Sequence, residues 1–530
     1  MMGRAERVSP IRQATRALHW LALAAAIPTV ASQAQTTTPG PPDSAESTRI
    51  ERLERMMSTV VEENRRLAEE VRTLKGQLAA RPPQPPSPAL PEAIPADKTP
   101  GVEALRPSPG FAPPASGVEL DPSPAWQALP WTTASRYRVD YENGFAILPE
   151  NFDETPFSLR IRSQNVFRYD GFSRDATYWT DSAGTRKVIA NNNFFGIPRG
   201  RIIFTGRVLL PKLSYTLNID YNSVTSNPIG FRAYELVYRF SRAFELGAGQ
   251  TKVPASREWQ ESAFAPLQGP DRSMATTFFR PSLSQGMWIF GEPLDGWHYR
   301  AMVSNGFNTL NLLPNQLNNR MCYTVTTLWE PWGAFGAGYS DLQDHREAAI
   351  RLGGSYAYAI GRGDQADSDA VENSPLRLSD GTIITTPGAL APGVTLNAYD
   401  VSLGTIDFAF KRRGLGLSTE LYSQELLKFR GTGALPIHST RAYGGVLQGG
   451  YFVIPQRGEL YARTSAVTGA FGSGWELGGG LNWFCLQGRD NLRYTIDATW
   501  LEHSPAGQNR TGYNAGQTGL LFRTQMTVVY

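Results

Sequence analysis

A chain of 530 residues with 51 Lys+Arg against 48 Asp+Glu carries a net charge of only +3, too near neutral for nucleic acid to be its natural partner. Hydrophobic residues make up 41% and aromatics 11%, yet beyond the extreme N-terminus no apolar run reaches the roughly eighteen residues of a membrane helix. That excludes a helical membrane protein and leaves a transmembrane barrel open, because each barrel strand is apolar only at alternate positions.

Residues 1–34 have the layout of a secretory signal peptide. Arg4, Arg7, Arg12 and Arg16 precede the apolar stretch Leu18–Ala31, and Ser32-Gln33-Ala34 supplies a small-x-small cleavage site. A low-complexity segment, 35–48, leads into 49–80, where Leu53, Met57, Val60, Asn64, Leu67, Val71, Leu74 and Leu78 recur at alternating spacings of four and three. That is a heptad seam, expected to form a short α-helical coiled coil in which a buried Asn64 fixes register and oligomer number. A lone amphipathic helix is the plainer alternative. Residues 81–135 are rich in Pro, as in RPPQPPSPALP, and favour an extended, semi-rigid spacer. Together these segments predict an exported chain with a periplasmic rod that assists assembly or reaches cell-wall material.

From 140 to 530 the pattern becomes strand after strand. FSLRIRSQNVFRY (Phe157–Tyr169) sets Leu159 and Ile161 against Arg160, Arg162 and Arg168, and FFGIPRGRIIFTGRVLL (Phe194–Leu210) sets Ile202, Phe204 and Val208 against Arg199, Arg201 and Arg207. Alternation continues through Leu213–Tyr221 and Phe231–Phe240, then near 243–253, 286–305, 321–341, 348–359, 398–424, 440–467, 475–502 and 517–530. Turns such as Pro331-Trp332-Gly333 and Arg412-Arg413-Gly414 join several of them. The reading is about sixteen antiparallel strands, each long enough to cross a bilayer. Trp297, Tyr299, Trp329, Trp332, Tyr339, Tyr451, Trp475, Trp483 and Trp500 fall near strand ends, as interfacial girdles require. The last strand, Thr518–Tyr530, alternates Leu520, Phe522, Met526, Val528 and Tyr530 with Arg523, Gln525 and Thr527. An apolar terminal edge of this kind is protected when a barrel closes; the alternative is the last strand of a soluble sandwich.

The sharpest sequence signal for function is the inward parity of Arg160, Arg162, Arg168, Arg199, Arg201 and Arg207. Guanidiniums on a lumen wall attract anions and grip phosphate or carboxylate bidentately. The competing reading is a salt-bridge lattice with Asp220, Glu235 and Glu420. The one long stretch without alternation, 254–285, is punctuated by Pro254, Pro266, Pro270 and Pro281. It is either an external loop or a loop folded into the pore, with Arg257, Glu258, Glu261, Asp271, Arg272 and Arg280 as constriction residues. Asp364–Glu372 reads as a solvated extracellular loop. Cys322 and Cys485 fall on opposite parities and are expected to be free thiols. No metal or cofactor motif is present. A barrel enzyme of the phospholipase kind would need a nucleophile beside a base, and His298 and Ser304 lie about 20 Å apart along a strand; His298 reads instead as a girdle or lumen residue. A structural cell-wall anchor or adhesin is the other alternative.

The order GQTKVP (Gly249–Pro254), Glu261-Ser262, Asp271-Arg272-Ser273, Phe279 to Gly286 and Asn305-Gly306 resembles the phosphate-selective porin O and P family, as does Gly144-Phe145 followed by the first strand. The resemblance covers about 140–530. It implies a trimer of sixteen-stranded outer-membrane barrels embedded in lipid, passing small anions such as phosphate. Ser284-Gln285 stands where members usually carry Arg-Asp, and Asp271–Thr277 offers Arg272 but none of the family's phosphate-binding lysines.

Overall fold

The computed structural model describes residues 136–530 except 142–143, 226–227, 265, 311, 318–319 and 363–374. The signal peptide, low-complexity segment, coiled coil, Pro-rich spacer and the acidic loop at 364–372 therefore lie outside the described residues. In chain order the strands are β1 (Tyr137–Tyr141), β2 (Phe145–Pro149), β3 (Leu159–Arg174), β4 (Tyr178–Thr180), β5 (Arg186–Val188), β6 (Asn192–Arg207), β7 (Leu213–Tyr221), β8 (Ile229–Arg239), β9 (Glu245–Lys252), β10 (Leu283–Leu294), β11 (Trp297–Ser304) and β12 (Cys322–Trp329). They continue as β13 (Ala349–Arg362), β14 (Thr395–Arg412), β15 (Leu415–Thr432), β16 (Thr440–Ile454), β17 (Gly458–Gly469), β18 (Gly472–Phe484), β19 (Leu492–Glu502) and β20 (Gly519–Val529). Two short helices, α1 (Arg257–Gln260) and α2 (Met274–Phe279), lie between β9 and β10.

Eighteen of these strands share one sheet, and sixteen of them, β3 and β6 to β20, pair antiparallel in sequence order until β20 meets β3 from Gly519↔Arg174 to Val529↔Gln164. The cylinder is thereby closed, and no wall strand is left with a free edge. Below Gln164 the start of β3 outruns β20, and β2 takes the vacant place with Phe145↔Ile161 and Ile147↔Leu159. Tyr530 seals the junction, its backbone exchanging hydrogen bonds of 2.9 and 2.6 Å with Ser163.

The wall is inverted relative to a soluble protein. Ile406, Leu421, Leu447, Leu477 and Val325 are exposed on the outside, at 46–62%. The alternate positions Asp407, Glu420, Glu476, Arg463 and Arg523 are buried. Apolar outward and charged inward is the pattern a strand needs when lipid lies on one side and a polar lumen on the other. Aromatics gather at the ends of this apolar band. Trp297 pairs directly with Trp329, with Tyr451 and Trp483 exposed at the same level, while Tyr323, Tyr443 and Trp475 are exposed at the opposite level.

Connections at the end bearing Tyr530 are mostly tight. Arg413-Gly414 joins β14 to β15 with both residues at positive φ (49° and 77°), the conformation of a two-residue hairpin that follows the strand twist. One connection departs from expectation. Pro331-Trp332-Gly333 does turn the chain, Gly333 taking φ 79°, but it leads into a long excursion, 330–348, and not straight into β13. Strand β12 ends at Trp329, and Tyr339, read as a girdle residue, is buried inside the barrel. Cys322 is a buried free thiol and Cys485 a half-buried one.

Candidate functional site

The long insertion folds inward. Strands β9 and β10 remain paired up to Lys252↔Leu283, and Val253 N–H still donates to Ser282 O at 3.1 Å, so 254–281 leaves the wall as one loop. Pro254, Pro266, Pro270 and Pro281 keep it from joining the sheet, since proline offers no N–H to a ladder. Within it, Ser273 caps α2 by accepting from Thr276 N–H at 3.1 Å. The Glu258 carboxylate accepts from Ser273 Oγ at 2.6 Å and draws the two arms together. Trp259, fully buried, is flanked by the guanidiniums of Arg272 and Arg280 at 4.7 and 4.5 Å from its ring centre.

Wall residues then pin this loop across the lumen. Glu420 on β15 accepts from the backbone N–H groups of Arg257 and Glu258 at 2.6 and 3.1 Å, and Glu476 on β18 accepts from Met274 N–H at 3.1 Å. Arg493 on β19 donates to Leu267 O at 2.6 Å, and Arg463 on β17 donates to Asp271 O at 2.7 Å. From the other side, Arg168 reaches the Asp271 carboxylate at 3.2 Å, and Arg199 forms a still closer pair with it. Burial alone would raise the Asp271 pKa, but Arg199, Arg168 and Arg272 outweigh it and hold the carboxyl below the usual range.

Two further segments enter the same space. The 330–348 excursion meets the loop where Tyr339 N–H donates to Pro266 O at 3.1 Å, and Lys411 on β14 holds it by donating to Ala337 O at 2.9 Å. Between β19 and β20, Arg510 pairs with Asp220 at 2.6 Å and Tyr513 donates to Glu476 at 2.6 Å.

The six inward arginines therefore divide. Arg168, Arg199 and Arg201 are buried in the lattice, with Arg168–Asp170 at 3.0 Å and Arg201–Asp220 at 3.2 Å. Arg160 and Arg162 are half-buried and Arg207 is exposed, all toward the Tyr530 end. There Arg160, Arg207 and Arg138 of β1 line a cavity of about 460 Å³. Of the constriction residues, Arg257, Glu258, Asp271, Arg272 and Arg280 are buried in the packing and anchoring of the loop, and only Glu261, beside Gln260 and Ser262, stays partly accessible. Asp220 and Glu420 do belong to the lattice, Glu420 through backbone N–H groups and not through an arginine.

A second basin lies against β8 to β12. It measures about 310 Å³, is closed above by Gln260, and carries Arg239, Arg242, Arg300 and His298. His298 is thus a lumen residue. Arg239 and Arg300 are not among the arginines singled out from the sequence, and their importance emerges only once the rest of the lumen is seen to be filled.

Comparison with known proteins finds no matching family model and no matching curated relative. Among solved structures, the outer-membrane OmpT of Vibrio cholerae aligns over 71% of this chain and 98% of its own, at 10% identity and TM-score 0.46. The outer membrane channel DcaP of Acinetobacter baumannii aligns over 71% and 97%, at 7% identity and TM-score 0.45. Pseudomonas putida OprB aligns over 70% and 94%, at 9% identity and TM-score 0.41. The likeness is one of barrel architecture.

Proposed function

We propose that this chain is an outer-membrane porin, a passive channel for small solutes with a preference for anions. The observation that carries the reading is the inverted wall, exposed and apolar outside, charged within, with a loop pinned across the lumen so that width is set by fixed structure. Conduction, not catalysis, is the proposed activity.

The anion preference rests on the accessible arginines, not on the buried ones. Arg138, Arg160 and Arg207 on one basin, and Arg300 on the next beside Arg239 and Arg242 with their partners Glu245 and Glu292, give the open part of the lumen a net cationic lining. Buried lattice arginines are neutralised by their partners and add little field at the water-filled path. Phosphate is the solute suggested by the resemblance of the 249–306 region to the phosphate-selective porins. A homotrimer in lipid, with the N-terminal coiled coil as a periplasmic reinforcement, completes the proposal.

Purified protein in a planar bilayer under a potassium chloride gradient tests it. Steady conductance with a reversal potential of anion-selective sign is the expected result. A cation-selective or unselective value removes the preference, and absence of conductance removes the channel.

A further inference from the structure

We propose that the basin on β8 to β12 is a binding site for a small organic carboxylate with an apolar body, held by Arg300. The inference deepens the channel reading and rests on it in one respect, that the basin opens to the lumen.

Arg300 differs from its neighbours in having no carboxylate partner. Arg239 pairs with Glu245 at 3.1 Å, and Arg242 with Glu292 and Asp295 at 2.5 and 2.7 Å. Among the described residues no carboxylate oxygen comes within ion-pair distance of Arg300, and its Nε is buried without a hydrogen-bond partner. Its one polar contact is a long 3.4 Å approach of Nη2 to Thr251 Oγ1. The fork is half-buried and feels the negative charge of Glu235 only from beyond ion-pair distance, and a guanidinium so placed, with its Nε buried and unbonded, gains when a carboxylate arrives to pair with it.

The wall holds this guanidinium ready. Its carbon lies 5.3 Å from the ring centre of Trp288 and 5.9 Å from that of Phe290, and stacking of this kind restrains the planar fork. Trp288 can lie flat there because it covers Gly247, where a Cβ would stand only 2.3 Å from the indole. The sequence thus provides a glycine beneath a tryptophan beneath an arginine.

Ligand chemistry follows from what surrounds the fork. Phe290, Tyr299 and Leu328 give the basin apolar surface, and its volume of about 310 Å³ sits at the small end for ligand pockets. One unpaired arginine matches one carboxylate, bidentately. Inorganic phosphate, more highly charged at neutral pH, would leave its second charge unmatched against those apolar walls, whereas an aromatic acid would cover them.

The probe is 4-fluorobenzoate, followed by fluorine NMR line width on the full exported chain in detergent. Saturable broadening is expected, reversed by benzoate but not by equimolar phosphate. Arg300→Gln should weaken binding about tenfold or more, as loss of a charge-assisted bidentate contact does. Arg300→Lys, retaining charge without the fork, should fall between. Heat-modifiable gel mobility verifies that each variant is a folded barrel. Equal binding by wild type and Arg300→Gln, or displacement by equimolar phosphate, overturns the site. Bilayer conductance is read separately, so a non-conducting protein that still binds 4-fluorobenzoate through Arg300 would sink the channel reading and leave the pocket standing.

Discussion

The barrel interior has two unlike sides. Along β14 to β20 the inward residues are almost all buried: Lys411, Glu420, Glu459, Arg463, Glu476, Asn482, Arg493, Asp497 and Arg523 are each 3% exposed or less. On the opposite wall, toward the Tyr530 end, Arg160, Glu235, Glu245, Phe290, His298 and Arg300 are half-buried and Arg207 and Arg239 exposed. Both sides have the same alternation and charged residues of both signs. The difference is that three inserted segments lie against the first side and consume its charges in anchoring backbone. Charge on an inner wall therefore says little about permeation until it is known whether a loop has claimed it.

The largest way to break this contrast is to release the loop. Asp271→Asn leaves Arg168 and Arg199 facing a neutral amide in a buried site, and stranding buried charges in this way costs about 3–5 kcal/mol. Lower stability to denaturant in detergent is expected, together with a larger and noisier single-channel current. A variant as stable and as quiet as wild type would show that Asp271 anchors nothing.

Acid should reproduce this loss in the native chain. The folded-state pKa of Asp271 is depressed, so its contribution is fully present above the ordinary carboxylate value of about 3.9 and disappears as pH falls through the lower folded value. Current recorded from pH 7 down to about 4 should be steady as far as this group is concerned, with noise rising only below that. In Asp271→Asn the noise should be present from the start, without a further step from this site. Onset near pH 6 in wild type would point to another group.

A smaller effect is expected at the second anchor. Lys411→Met removes the donor that holds Phe335 O and Ala337 O at 3.3 and 2.9 Å and leaves carbonyls short of a partner, a cost of about 1–3 kcal/mol. Proteolysis of the 330–348 excursion in folded protein should quicken, with the barrel itself intact. Unchanged cleavage would mean that the excursion is held by its contact with Pro266 alone.

How much of this was legible in the chain differs by level. The sixteen strands and both aromatic belts could be read because lipid on one side imposes a period of two that nothing local obscures. The 330–348 excursion could not, since Phe335 and Tyr339 share one parity among small residues much as outward aromatics of a wall strand do, although both are buried inside. Parity put the arginines inward but could not name their partners. Arg199 and Asp271 are 72 residues apart in the chain and Arg510 and Asp220 are 290 apart, so their pairing is fixed by where loops land after the cylinder has closed. Arg300 escaped notice for the converse reason, because having no ion-pair partner leaves no mark in a sequence.

The smallest change tests the open side. Glu261 follows the end of α1, where Lys252 Nζ donates to its backbone carbonyl at 2.7 Å, and it stays partly accessible while the rest of the predicted constriction is buried. Glu261→Gln keeps shape and every backbone contact while removing one negative charge from the accessible surface. Stability should stay within about 0.5 kcal/mol of wild type, as for substitutions that disturb no buried partner. The reversal potential should nevertheless move toward stronger anion selectivity, because one fixed negative charge is lost from the part of the loop that stays accessible. The contrast with Asp271 is the point of the measurement: one carboxylate determines whether the loop stays in place, the other only what passes it. If neutralising Glu261 left selectivity untouched, the water-filled route would have to run elsewhere than past the end of α1.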